Sequence, residues 1–176
     1  MKFSNDISYE YASSIMSYNP ESGHIAWKSR NDIAPKCDAR RKGKIAGCYS
    51  KKDKCIIIGI NGKTYLSHRI AWLLHYGTWP KYILDHINCD RTDNRISNLR
   101  DATQAENLSN RGVTKRNTTG IKGVSFDKKN NRYFGRINSN RKSFYIGSWK
   151  TIEEAVEPMA NAYNKIHGEF ARLNDV

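Results

Sequence analysis

Residues 113–119, Val-Thr-Lys-Arg-Asn-Thr-Thr, are polar and basic, with no apolar anchor beyond Val113. A stretch of that composition cannot run through a core, so the 176-residue chain divides around it. Two modules follow, residues 1–112 and 120–176, and each must bury an apolar face of its own. A hydrophobic content of 38%, with 11% aromatic residues, supports packed cores rather than disorder. The longest apolar runs are only a few residues, which excludes a membrane-spanning helix. The N-terminus, MKFSNDISYEYASS, lacks an apolar core of signal-peptide length, so the expected compartment is the cytoplasm. Cys37, Cys48, Cys55 and Cys89 form no C-x-x-C pair, and no His stands at zinc-finger spacing from them. They are expected to be free thiols rather than ligands of a structural zinc.

In the first module, residues 18–30 contain a turn signal, Asn19-Pro20 through Gly23, followed by a short strand-like run. Residues 43–65 predict a β-hairpin, because Asn61-Gly62 separates the β-prone runs CIIIGI and KTYL. Ser67 is placed to cap a helix, SHRIAWLLHYG, that Gly77 ends. Residues 81–85 and 98–102 read as short strands, and Thr103 with Glu106 forms a capping box for another helix, stopped by Gly112. The second module changes pattern. IKGVSFD, RYFGRIN and KSFYIGSW predict three short strands, followed by a helix from Thr151 to Gly168. Ile152, Ala155, Val156, Met159, Ala160, Tyr163 and Ile166 share one face of that helix, and Pro158 interrupts its hydrogen bonding. The fold class expected is α+β: a β-rich N-terminal region, then a three-stranded antiparallel sheet packed on one helix.

The net charge of +13 implies a polyanionic partner, of which nucleic acid is the commonest. Its distribution sharpens the point. Residues 113–150 carry ten basic side chains against one acidic, whereas residues 151–176 carry two against five. One face is thus set to meet phosphate, with the opposite side turned away.

The segment ILDHINCDRTDNRISNLRDATQAEN, residues 83–107, holds one His, four Asp and four Asn. A strand ending in Asp85-His86, a loop, a second strand and a capped helix carrying Asn107 make a ββα arrangement over about 81–112. Neighbours on a strand point to opposite faces, so Asp85 and His86 can serve one site only at the strand's end. A carboxylate and an amide oxygen, Asp85 and Asn107, are hard donors suited to one Mg²⁺ or Mn²⁺. Two protein ligands leave coordination positions for water and a substrate phosphate. His86 beside them can take a proton from water. An isolated Asp-His pair is ordinarily a surface hydrogen bond.

The stretch LSHRIAWLLHYGTWPKYILDHINCDRTDNRISNLRDATQAENLSNRG, 66–112, resembles the HNH endonucleases of phage and intron-encoded homing type, and YNPESGHIAWK and GKIAGCY resemble that family's N-terminal part. The resemblance implies a ββα-metal core in which His86 is the general base, Asp85 and Asn107 bind the metal, and Asn98 holds the loop and orients the histidine. Cys89 departs from the pattern, standing where many relatives carry Gly. His68 and Arg69 also match the family and are candidate phosphate contacts. GIKGVSFDKKNNRYFGRI, FYIGSWKTIEEA and HGEFARLN resemble the DNA-binding domain of plant ethylene-response factors, a sheet that enters the major groove backed by a helix. Ser125 and Tyr145 stand where that family commonly has Arg and Trp, which implies a different target. The DNA-contact candidates are Lys122, Arg132, Arg136, Lys142 and Tyr145 on this module, with Lys115 and Arg116 of the linker 113–119.

Together these readings predict a metal-dependent homing-type endonuclease that hydrolyses double-stranded DNA, in the host cytoplasm if phage-encoded. No membrane role and no obligatory protein partner is evident. The alternative is a DNA-binding regulator with a vestigial nuclease core, against which the intact Asp85, His86, Asn98 and Asn107 speak.

Overall fold

A computed structural model describes residues 3–114, 116–139 and 142–172. The chain is α+β and forms two compact units, Met1–Ala102 and Thr103–Val176. This division falls just ahead of the helix capped by Thr103.

The first unit opens with α1 (Tyr9–Ile15), capped by the Ser8 side chain, and the short antiparallel pair β1 (Met16–Tyr18) and β2 (Ile25–Trp27). After α2 (Pro35–Arg41), with proline in its first turn, come β3 (Cys48–Ser50), β4 (Cys55–Ile60) and β5 (Lys63–Leu66). They form one antiparallel sheet in the order β3-β4-β5. Ile60 pairs with Lys63 across a two-residue turn in which Asn61 (φ 48°) and Gly62 (φ 76°) are both left-handed, the geometry that matches strand twist. The predicted hairpin is present, with β3 as an added strand. The Asn61 amide also accepts a hydrogen bond from buried Arg30 and donates one to the Tyr11 hydroxyl, which ties this turn to α1. The same guanidinium holds the Asp32 carboxyl well below the usual carboxylate range.

Helix α3 (Ser67–Tyr76) follows directly. Its N-cap is Leu66 without a side-chain hydrogen bond, so Ser67 is the first helical residue and not the cap. Ile70, Ala71 and Leu73 are buried in one core with Ile15, Met16, Ile25, Ile58, Ile60 and Tyr65. Gly77 ends the helix in the left-handed region, as expected. Strands β6 (Ile83–His86) and β7 (Leu99–Ala102) pair antiparallel, with Asp85 opposite Arg100 and His86 opposite Leu99. A 3-10 turn, Ile96–Asn98, closes the loop between them and packs against α3.

The second unit begins with α4 (Gln104–Ser109), where Thr103 and Glu106 complete the expected capping box. β8 (Val124–Asp127), β9 (Arg132–Ser139) and β10 (Lys142–Trp149) form an antiparallel sheet in the order β10-β9-β8. α5 (Glu153–His167) packs on β9 and β10, burying Ala155, Met159 and Tyr163. Val156, expected on that face, is 42% exposed. The capping box expected at Thr151 is displaced. Its hydroxyl accepts from the Glu154 amide, but the Glu154 carboxylate reaches back to Lys150.

The turn at residues 19–23 packs against the loop between β6 and β7. The Ile96 amide donates to the Pro20 carbonyl at 3.2 Å. Gly23 has φ +73°, and a Cβ there would lie 2.5 Å from the Arg95 nitrogen and 2.6 Å from the Asn94 carbonyl carbon. Both are backbone atoms, which cannot yield without moving the loop. Gly23→Ala is therefore expected to cost about 2 kcal/mol. Urea unfolding of the variant against wild type checks this, and unchanged stability would mean that the turn does not bear on the loop.

Candidate active site

His86 is the last residue of β6, and Leu84, Asp85 and His86 are all buried. Its Nε2 lies 3.2 Å from the Asn94 side-chain oxygen. With that oxygen accepting, Nε2 carries the proton and the basic lone pair belongs to Nδ1. Burial pushes the His86 imidazole below its ordinary value, against the opposing effect of the Asn94 hydrogen bond. The ring is neutral at neutral pH, the form a base requires. Asn94 is itself 2% exposed, and its backbone carbonyl accepts from the Tyr18 hydroxyl at 2.8 Å.

The loop from 87 to 98 is fixed by its own amide and carboxylate side chains. The Asn98 side chain donates to the Asn88 side-chain oxygen (2.9 Å) and the Asp93 carbonyl (2.8 Å), and accepts from the Asn88 amide (3.0 Å). Its carbonyl accepts from the Ile87 amide at 2.9 Å. Asn88 accepts from the Asp90 amide, and Asp90 in turn from the Thr92 amide and hydroxyl. Arg95 holds the Asp93 carboxyl low, at about 2. This answers the density of short polar side chains in the segment: a loop without ladder partners satisfies its backbone through Asx turns.

Asp85 is buried against Arg100, whose Nε (2.9 Å) and Nη2 (2.8 Å) both contact carboxylate Oδ2. A buried carboxylate requires a cation, and the strand register supplies one directly opposite. As a donor set, one carboxylate and one amide oxygen fit a hard divalent ion. Among the described residues no group of three or more His, Cys, Asp or Glu side chains could hold a metal. The expected pair includes only one residue of those types. Asn107 lies on α4 and is half-buried in the second unit.

His68, the second residue of α3, is in the interior of the first unit, with ring centroids 5.0 Å from His86 and the planes at 81°. Its Nδ1 has no hydrogen-bond partner among the described residues. Burial, then the His86 ring, pushes its pKa down to about 3. Arg69 donates to the Asn5 side chain and the Tyr82 carbonyl and lies over the Trp79 ring.

In the second unit, Arg132, Arg136 and Tyr145 stand exposed on the sheet, with Phe134 between the arginines in sequence. These four line a depression of about 520 Å³. Arg136 pairs with Tyr145 across strands and lies over the Phe134 ring, 5.8 Å from its centroid. The intervening Gly135 and Ile137 are buried on the helix side, as strand alternation requires. Lys142 and Arg116 are exposed. Lys122 instead donates to the Ser109 (2.6 Å) and Arg111 (2.7 Å) carbonyls, capping the end of α4. Lys115 lies outside the described residues. No helix of the described residues is long and apolar enough to cross a membrane.

Sequence reasoning missed Asn94, Arg100 and Gly23. Arg100 was open to discovery by registering the two strands from the Asp85 end. Asn94 carries no signal that separates it from the other loop amides.

Residues 65–109 match the family described as HNH endonuclease. The chain is also 32% identical over 107 residues to Protein 3.8 of Escherichia phage T7, an alignment spanning 60% of this chain and 88% of the phage protein. The chain thus carries an HNH endonuclease domain at residues 65–109 and belongs to one family with the phage protein.

Two outcomes follow from this geometry. Cys89 has φ +62°, a left-handed conformation that a side chain other than glycine adopts at a cost. Cys89→Gly relieves left-handed strain that outweighs glycine's added chain entropy. An increase of about 0.5–1 kcal/mol in urea-unfolding free energy is expected, and a loss of stability would contradict it. For His68, the unfolded chain takes up a proton near 6.5 while the folded ring resists until about 3. Its contribution is complete above pH 6.5 and is lost as pH falls toward 3, by up to about 1.4 kcal/mol per unit. His68→Phe should flatten the pH dependence of stability between pH 7 and 5 by close to one proton. Identical slopes in the two proteins would place His68 in water.

Proposed function

We propose that the protein is a metal-dependent DNA endonuclease of the phage homing type. It hydrolyses a backbone phosphodiester, and a C-terminal sheet reads the target. The observation that carries this reading is the placing of His86: buried, held at Nε2 by Asn94, at the end of a strand whose preceding residue is a carboxylate. His86 takes a proton from the attacking water, and the resulting imidazolium is stabilised by the Asn94 oxygen and the nearby Asp85 charge. Asp85 and Asn107 are the residues that would hold one Mg²⁺ or Mn²⁺. A bound divalent ion supplies charge neutralisation at the phosphate and at the departing 3′ oxygen. Asn98 holds the loop and acts on His86 through Asp93 and Asn94 rather than on substrate. The ββα-metal core assigned to 81–112 rests on the family match and on the β6–β7 pair. A phage relative is consistent with action in a host cell's cytoplasm.

Sequence readout is assigned to the exposed face of the second unit's sheet. Its likeness to an ethylene-response-factor domain is part of the proposal and rests on the sequence resemblance alone. Arg132, Arg136, Lys142 and Tyr145 are the proposed contacts, with Arg116 adding affinity through phosphate.

A plasmid-nicking assay with and without Mg²⁺ tests the activity. His86→Ala should lower the cleavage rate by about 10²–10⁴ with DNA affinity nearly unchanged. A variant within about threefold of wild type removes His86 from the chemistry. A wild-type protein that binds DNA without cutting would establish the regulator reading instead. Arg136→Ala should weaken cognate binding by about 1–3 kcal/mol while scarcely affecting scrambled duplex. Binding isotherms on both duplexes measure this, and equal loss on both would demote Arg136 to a phosphate contact.

A further inference from the structure

The proposed chemistry gives the buried His68 no task, yet an imidazole is kept in the core with Nδ1 unpartnered among the described residues. Among the described residues its ring contact is with His86, edge to face, inside the 4.5–7 Å range of such pairs. The geometry of His86 explains why that contact matters. An imidazole turns about its Cβ–Cγ bond, and Nε2 and Cε1 lie on either side of that axis at the far edge of the ring. This torsion is broad in histidine. A large turn carries the Nε2 proton away from the Asn94 oxygen and breaks that bond, whereas a small turn keeps the bond and swings Nδ1 through an arc. A second ring standing at 81° against the first obstructs that motion. α3, which carries His68, also packs against the 3-10 turn Ile96–Asn98 that closes the same loop. One helix thus backs both the ring and its anchor.

We propose that His68 is a positioning residue for the general base: its ring fixes the rotation of His86 and so the direction in which Nδ1 presents its lone pair. The proposal rests on the reading of His86 as that base. It assigns His68 no contact with DNA and no proton to move. What it requires is an aromatic ring of this size, and phenylalanine meets that requirement.

The full-length protein is compared with His68→Ala and His68→Phe. Alanine should lower kcat between about ten- and a hundredfold, the scale of a misdirected catalytic group. KM for DNA and half-saturation by Mg²⁺ should stay within about twofold. Phenylalanine should restore kcat to within about threefold of wild type, and it leaves no cavity should the alanine variant fold poorly. The His86 ring resonances, read by ¹⁵N–¹H NMR without metal or DNA, should report one fixed tautomer in wild type and His68→Phe and exchange broadening in His68→Ala. The proposal is overturned if a folded His68→Ala keeps kcat within about threefold. It is equally overturned if His68→Phe is as slow as alanine, which would make a ring nitrogen the requirement. Wild-type protein that never nicks DNA refutes the nuclease reading alone, because the ring resonances still decide whether His68 holds His86.

Discussion

Three hydrogen bonds from one amide side chain set the shape of the site. Asn98 gives both Nδ2 hydrogens and its oxygen to residues 88 and 93 of its own loop. Its carbonyl also accepts from Ile87, next to the base. Because Asp93 is held, Asn94 is placed, and because Asn94 is placed, the His86 ring is anchored. Replacing an amide in this position removes a donor pair and an acceptor at once, and leaves buried groups on the loop without partners. The aspartates and asparagines around it are the loop's substitute for a ladder.

Charge is handled in the same economical way. Asp85 is buried, and the facing residue on the neighbouring strand is an arginine. The pair is tolerated because register fixes it, and the guanidinium stands where a cation is needed next to a buried carboxylate. Arg100 Nε and Nη2 both reach Asp85 Oδ2. His86, one residue on, is kept neutral by the same burial that makes Asp85 need its partner.

Much of this was legible from the chain alone, for identifiable reasons. The hairpin at Asn61-Gly62 was legible because only left-handed turn residues fit there. The α4 cap was legible because Thr103 and Glu106 satisfy each other locally. Asp85 and His86 stood out as a carboxylate and an imidazole at a strand's end, and Asn98 through the family resemblance. What stayed hidden depended on tertiary contact. α1, in Tyr9–Ile15, is built from residues of weak helix preference and is fixed by packing on α3. Asn94 owes its role to which loop amide faces the ring, and Gly23 to the close passage of a distant backbone. The interior position of His68, a candidate phosphate contact in the sequence, is set by the direction in which α3 enters the core.

The ownership of α4 bears on how such a chain can be recombined. Composition marks the seam at 113–119, and the family match runs into α4, to residue 109. Yet the helix's supports come from downstream: Lys122 on its terminal carbonyls, His167 Nδ1 3.0 Å from the Ser109 hydroxyl, and the turn Gly168–Phe170 packed against it. A C-terminal module spliced in at the polar stretch would arrive without the helix it was shaped to hold. The nuclease half would keep a helix stripped of its props. Exchange at the polar stretch parts α4 from these supports, whereas exchange at the Ala102–Thr103 junction keeps them and takes Asn107 away from the chain that carries Asp85.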